Sequence, residues 1–293
     1  MHRRFGIALV ALIALLMLFV AACTPYVTPQ GAAPLRYRDD VFSNVKETDN
    51  VQYGPELYAN STPIQTLDIY EPSGDTATKR PAIVWVHGGS FGFGSSKEGD
   101  LVIEANSFAK KGYFNVSINY TLTPDGCTAS APTTSCVQAI VAAQNDAQAA
   151  VRWLRKNAAQ YRIDTNRIAI GGTSAGAITA FQVGYNAENP GSAGNPGYSS
   201  AVRAVVSLSG ALVLGNISAG DPSCLDFHST NDLLVPFQWA VNTVNKAHAA
   251  GVRCYLTNFG TDGHVPFVKD GLTILAQTRN FLYFELDAAH AAR

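Results

Sequence analysis

Gly172-Thr173-Ser174-Ala175-Gly176 sets a serine between two glycines where an apolar strand is predicted to give way to a helix. The G-x-S-x-G spacing suits a sharp turn that presents its hydroxyl at a helix N-terminus, the posture of a nucleophile. An ordinary N-capped helix after a strand would carry the same serine, so the flanking strand and helix give the motif its weight. A serine hydroxyl is hardly ionised at neutral pH and needs a base. Of the six histidines, His2 lies in the leader, His248 on a predicted amphipathic helix and His290 in the tail. His228 falls within a strand, where a packed or hydrogen-bonded ring is expected. His264 stands in Gly260-Thr261-Asp262-Gly263-His264, the loop straight after the last strand, and open α/β sheets place their sites at the carboxyl ends of strands. His264 is therefore the expected base. An acid must hold the ring and its tautomer. Asp232, after the preceding strand, can approach from the far side, whereas Asp262, two residues from the histidine, is expected to shape its own turn.

His87-Gly88-Gly89-Ser90-Phe91 follows another apolar strand. Consecutive glycines let backbone N–H groups come close to a ligand, although a plain glycine-rich turn would look the same. With Ala175, the N–H groups of Gly88 and Gly89 are expected to hold the oxyanion of a tetrahedral intermediate. Phe91 and Phe93 are expected to line an acyl pocket. The chemistry these residues point to is two-step acyl transfer through an acyl-enzyme on the serine, with no cofactor and no metal expected. Because a neutral histidine is the base, activity is expected to rise as pH passes upward through roughly 6 to 7.

Elements able to position such groups alternate along the chain. Strands are predicted at Leu67–Tyr70, Ala82–Val86, Phe114–Tyr120, Arg167–Gly171, Val202–Ser209, Leu225–Ser229 and Arg253–Asn258. Helices are predicted over 101–112, 137–160, from Ser174, and over Phe237–Ala250 and Phe267–Leu286. The run Ala82-Ile83-Val84-Trp85-Val86 is apolar throughout, as a strand covered on both faces should be. Strand–helix alternation implies right-handed crossovers and an α/β fold: a mostly parallel, doubly wound sheet flanked by helices.

The chain has 293 residues, 47% hydrophobic and 15% charged, with 21 basic against 22 acidic side chains. This balance offers no basic surface for nucleic acid and is too hydrophobic for disorder. Met1-His2-Arg3-Arg4, the uncharged run Phe5–Ala22 and the small residues before Cys23 have the layout of a secretory signal. Val20-Ala21-Ala22-Cys23 resembles the lipobox of bacterial lipoproteins, which implies cleavage before Cys23 and its lipidation; the alternative is an uncleaved anchor helix. Residues 1–22 are thus read as the signal, 23–50 as tether and N-terminal extension, and 51–293 as the folded domain, lipid-anchored on the outer side of a bacterial membrane. Without Arg3 and Arg4 the net charge is −3. Four further cysteines remain. Cys127–Cys136 is expected to close a local loop and Cys224–Cys254 to join two strands, the alternative being four free thiols.

These motifs resemble the α/β-hydrolase superfamily, in its carboxylesterase/lipase branch with an HGG-type oxyanion loop. The similarity runs from about Leu67 to the C-terminal helix. Asn119-Tyr120-Thr121-Leu122-Thr123-Pro124 is similar to the family's segment after the fourth strand, and Asp164-Thr165-Asn166-Arg167-Ile168 to its lead into the nucleophile strand. Asn231-Asp232-Leu233-Leu234-Val235-Pro236 is similar to its acid loop. The resemblance implies an α/β-hydrolase fold, Ser174, Asp232 and His264 as the triad, Gly88, Gly89 and Ala175 as oxyanion donors, and a small-molecule ester substrate of short to medium acyl chain. Ser90 departs from the third glycine of many relatives, which bears on the groups that fit. Between Ser209 and Cys224 there is no room for a large cap domain, so 186–200 and the Cys127–Cys136 loop are the expected rim. Other readings are an esterase of acetylated or feruloylated polysaccharide, a lipase or peptidase of the same fold, and a non-catalytic surface binding protein. Oligomeric state is not specified by any of these features.

Overall fold

The computed structural model describes residues 26–55, 64–124, 126–127, 133–186, 188 and 194–291. The predicted signal and Cys23 lie outside the described residues. Strand β3 (Arg80–Val86) is buried at every position because it runs near the middle of an eight-stranded sheet. The sheet also contains β1 (Val45–Gln52), β2 (Thr66–Pro72), β4 (Phe114–Ile118), β5 (Ile163–Thr173), β6 (Ala204–Leu208), β7 (Ser223–His228) and β8 (Cys254–Asn258), in the order β1-β2-β4-β3-β5-β6-β7-β8. β1, β2 and β4 pair antiparallel, and every pair from β4 to β8 is parallel.

Alternate side chains of β3 feed two cores, since successive strand residues point to opposite faces. Val84 and Val86 pack with α2 (Thr134–Lys156) and α4 (Ala175–Tyr185), while Ile83 and Trp85 pack with α1 (Gly99–Lys110) and α6 (Phe267–Glu285). Helix α5 (Phe237–Ala249) joins the first face; α3 (Ala158–Tyr161) and α7 (Ala288–Ala291) are single turns. Thr133 caps α2, its hydroxyl accepting from Cys136 N at 3.2 Å, which satisfies one of the otherwise orphaned first-turn donors. This is the doubly wound sheet expected from the alternation of apolar runs and helical patterns. Among the described residues no helix is long and apolar enough to cross a membrane.

The expected boundary at residue 51 is corrected by β1, which is almost wholly exposed. Its Lys46, Glu47 and Asp49 give no apolar alternation, yet its backbone pairs with β2 from Val45↔Pro72 to Gln52↔Thr66. A charged edge strand blunts further strand addition, and it is held by backbone bonds that composition does not reveal. Parts of the expected tether and extension are likewise packed, although 27, 28 and 30–34 are exposed. Tyr26 stacks on Phe284, meets Tyr255 and Phe281 edge-on and bonds Glu285 through its hydroxyl. Tyr37 is fully buried, and Arg36 grips Asp75 with two bonds of 3.0 and 2.7 Å.

Both expected disulfides are present, Cys127–Cys136 and Cys224–Cys254. The second joins register partners at the amino ends of β7 and β8. It closes a separation of 30 residues, and a loop of that size constrains the unfolded chain by about 3–4 kcal/mol. Replacing Cys224 and Cys254 by serine is therefore expected to lower the urea midpoint and to steepen the slope, because the released unfolded chain expands. An unchanged midpoint would remove the bridge from the account of stability.

Candidate active site

Ser174 links β5 to α4 with φ 55° and ψ −116°, a conformation non-glycine residues rarely adopt and one that costs roughly 1–3 kcal/mol. The turn is clamped on both sides, by Ser174 N donating to Leu208 O at 2.8 Å and by Ile178 N donating to Ser174 O at 2.9 Å. Helix α4 can begin this close to β3 only because residue 176 is glycine: a Cβ there would stand 1.9 Å from Val86 O. The motif's second glycine is thus a packing requirement that aims the hydroxyl out past the strand ends.

His264 Nε2 lies 2.8 Å from Ser174 Oγ, and His264 Nδ1 lies 2.7 Å from Asp232 Oδ2. The acid and base loops are stitched to each other. Asn231 accepts from Gly263 N at 2.8 Å and donates to Thr261 O at 3.0 Å, and Thr230 N donates to Gly260 O at 2.7 Å. Val265 N donates to Ser209 Oγ at 3.0 Å, which ties the base loop to the end of β6. Asp232 Oδ1 accepts from Leu234 N and Val235 N at 2.9 and 3.0 Å. Burial alone would favour its neutral form, but hydrogen bonds from His228, His264 and Val235 N–H outweigh this and hold the carboxyl well below the usual carboxylate range. Asp262 is bonded to Lys269 on the surface.

Gly89, at φ 98°, turns the chain after β3 so tightly that a Cβ would lie 2.0 Å from Phe93 O. Gly88 packs on the Ser174 side chain, with a would-be Cβ 3.3 Å from Ser174 Cβ. Among the described residues, no acceptor is bonded to the N–H of Gly88, Gly89 or Ala175. Tyr120 steadies this loop, stacking on His87 at 4.3 Å and donating to His87 O at 3.0 Å. Burial pushes the pKa of His87 down to about 4, against the bond to Gly88 O, so this imidazole is neutral at pH 7 and holds the loop as an uncharged ring.

Beside Ser174 opens a cavity of about 250 Å³, mostly apolar, bounded by Phe91, Ile140, Ile178, Val213 and Trp239 together with Leu233–Val235 and the Cys127–Cys136 bridge. The acid loop therefore supplies both a carboxylate and a wall. Phe91 lines this cavity. Phe93 is not among the lining residues and is 66% exposed. Of the rim expected from 186–200, the described residues do not line this cavity. Asn195 instead bonds Tyr53 O and Ala149 O, beside α2. Trp239, Val213 and Leu234 escaped sequence reasoning because isolated apolar residues there look like core. From Trp239 and Val213 a second depression continues along α5 past Asn242 and Lys246.

A parallel sheet with a serine turn after β5, an acid after β7 and a histidine after β8 is the architecture of the α/β hydrolases. The BD-FAE family profile matches residues 67–219, over half of the chain, and the chain belongs to that family. Thermogutta terrifontis esterase 2, in its form phosphonylated by cyclosarin, superposes with a TM-score of 0.68 at 24% identity, over 85% of this chain and 97% of that one, a likeness of fold. Drosophila melanogaster Glutactin is 32% identical over 177 residues, 57% of this chain and 16% of its own length. Phenmedipham hydrolase of Pseudarthrobacter oxydans is 32% identical over 126 residues, 43% of this chain and 23% of its own. The chain thus spans less than a quarter of the length of either relative.

Proposed function

We propose that this protein is a serine carboxylesterase acting on short- to medium-chain esters. Ser174 Oγ attacks the ester carbonyl while His264 Nε2 takes its proton. Asp232 holds the other ring nitrogen and stabilises the imidazolium, and the N–H groups of Gly88, Gly89 and Ala175 receive the oxyanion. His264 then protonates the leaving alcohol, and water repeats the sequence to free the acid. The observation that carries this reading is the unbroken contact from Asp232 through His264 to Ser174 at 2.7 and 2.8 Å, beside an apolar cavity of about 250 Å³. The activities in the names of Phenmedipham hydrolase and of Thermogutta terrifontis esterase 2 agree with it. A series of nitrophenyl acetate, butyrate, octanoate and palmitate is expected to give its highest kcat/KM among the shorter esters. Turnover of none of them, or of palmitate above the rest, would overturn the reading.

We further propose export and lipid anchoring through Cys23, a reading that two disulfides favour. Cys23 is three positions from Tyr26, at most about 11 Å of chain. Tyr26 packs beside Tyr255 near the amino end of β8, whereas Ser174 lies at the carboxyl ends. An anchor there turns the strand starts toward the bilayer and the esterase site toward water. Fatty-acid labelling of the full chain, lost in Cys23→Ala, is expected; unlabelled wild-type protein would refute the anchor.

A further inference from the structure

Behind the proposed triad lies a second histidine–aspartate pair that the reaction steps do not use. His228, the last residue of β7, and Asp226, two residues before it on the same strand, are both fully buried. The ring's Nε2 is 2.8 Å from Val235 O and 3.3 Å from Asp232 Oδ2. Both are acceptors, so Nε2 carries a hydrogen directed between them. On its other side, Nδ1 faces Asp226 Oδ2 at 3.8 Å, and among the described residues neither atom has a hydrogen-bond partner. Asp226 is fixed through its other oxygen, which accepts from Ser207 Oγ on β6 at 2.7 Å.

We propose that His228 is a buried imidazolium, countered by Asp226, that positions Asp232 for its work on His264. The inference rests on the esterase reading for its function but not for its charge state. Were the ring neutral, a bare nitrogen lone pair would face a carboxylate oxygen with water excluded, leaving two buried polar groups unsatisfied. A proton on Nδ1 turns this repulsion into an ion pair. The titratable groups facing the ring are Asp226 on its own strand, Asp232 of the acid loop and, beyond Asp232, His264 of the loop after β8. β6 contributes the Ser207 hydroxyl and α5 the Phe237 ring, set edge-on at 5.8 Å; neither is charged. Burial opposes a charge on His228, but Asp226 and Asp232 outweigh it and lift its pKa to about 10.

The consequence for the reaction is mechanical and electrostatic. Asp232 Oδ2 is shared by two imidazoles, and its Oδ1 is held by two backbone donors. The carboxylate can neither rotate nor take up the His264 proton as the imidazolium forms. The cation behind it shares Asp232 with His264. Removing that charge weakens the hold on Asp232 and leaves more of its negative charge to the His264 imidazolium that forms during the reaction.

His228→Gln keeps a donor toward Val235 O and Asp232 while removing the charge, and Asp226→Asn keeps the bond to Ser207 while removing the counter-ion. Each is expected to lower kcat about tenfold, as loss of an outer partner of a catalytic group commonly does. KM should stay near wild type, and the acid limb of the pH–kcat/KM profile should move upward by about half a unit or more. Rates are taken per phosphonate-titrated site, so loss of folded protein does not count. An acid limb in the wild-type position in both variants would reduce the pair to a structural role and overturn the proposal. Nitrogen-detected NMR of the full chain reads the charge without any activity. Both ring nitrogens of His228 protonated at pH 8 are expected, and a neutral ring there would overturn the proposal even if the esterase reading stands.

Discussion

Ser174→Ala is expected to lower ester turnover by about four orders of magnitude or more, because the members of a triad act as one unit and the nucleophile is the atom that forms the new bond. What remains reflects substrate binding and the oxyanion donors acting on water. Folding should be little affected. The strain at φ 55° is stored in the turn, which is clamped through backbone groups at Leu208 and Ile178 that the substitution leaves alone. Thermal unfolding near wild type together with collapsed turnover on nitrophenyl butyrate is the expected pair of results. Turnover within about tenfold of wild type in the purified variant would move the nucleophile elsewhere.

Asp232→Asn is expected to cost about 10⁴-fold in kcat with little change in KM. As a carboxylate, residue 232 accepts from Leu234 N and Val235 N with one oxygen and from His264 Nδ1 with the other. An asparagine can keep one of these roles. If its oxygen stays on the backbone donors, its amide N–H faces His264 and selects the tautomer with hydrogen on Nε2, directed at Ser174, which cannot then take a proton. Asp262→Asn provides the contrast. Its exposed pairing with Lys269 is of a kind worth little, and turnover within about twofold of wild type is expected. Equal losses in the two variants would contradict the assignment of the acid.

Much of this geometry was legible because it is local. The apolar run in β3, the glycines around Ser174 and the loop bearing His264 each announce themselves within a few residues. Asp232 was preferred to Asp262 because adjacent parallel strands bring their carboxyl ends together, a property of the fold and not of nearness in sequence. Edge strand β1 and the packed segment around Tyr26 were illegible for the opposite reason. β1 is held by backbone pairing beneath charged side chains, and Tyr26 is half-buried against residues more than two hundred positions away, such as Phe281. Spacing gives no sign that Phe91 is buried and Phe93, two residues on, is exposed. His228 was expected to be a packed ring, and its burial agrees. Its closeness to two carboxylates depends on the register of β7 and the return of the acid loop, neither of which spacing discloses.

The central claim is that Ser174 is an activated nucleophile. It is tested most directly by treating the folded full chain with a fluorophosphonate probe and locating the adduct by mass spectrometry. One adduct per chain, on the peptide bearing Ser174 and missing in Ser174→Ala, is the predicted result. A folded protein that stays unlabelled, or that carries the adduct on another residue, would contradict it.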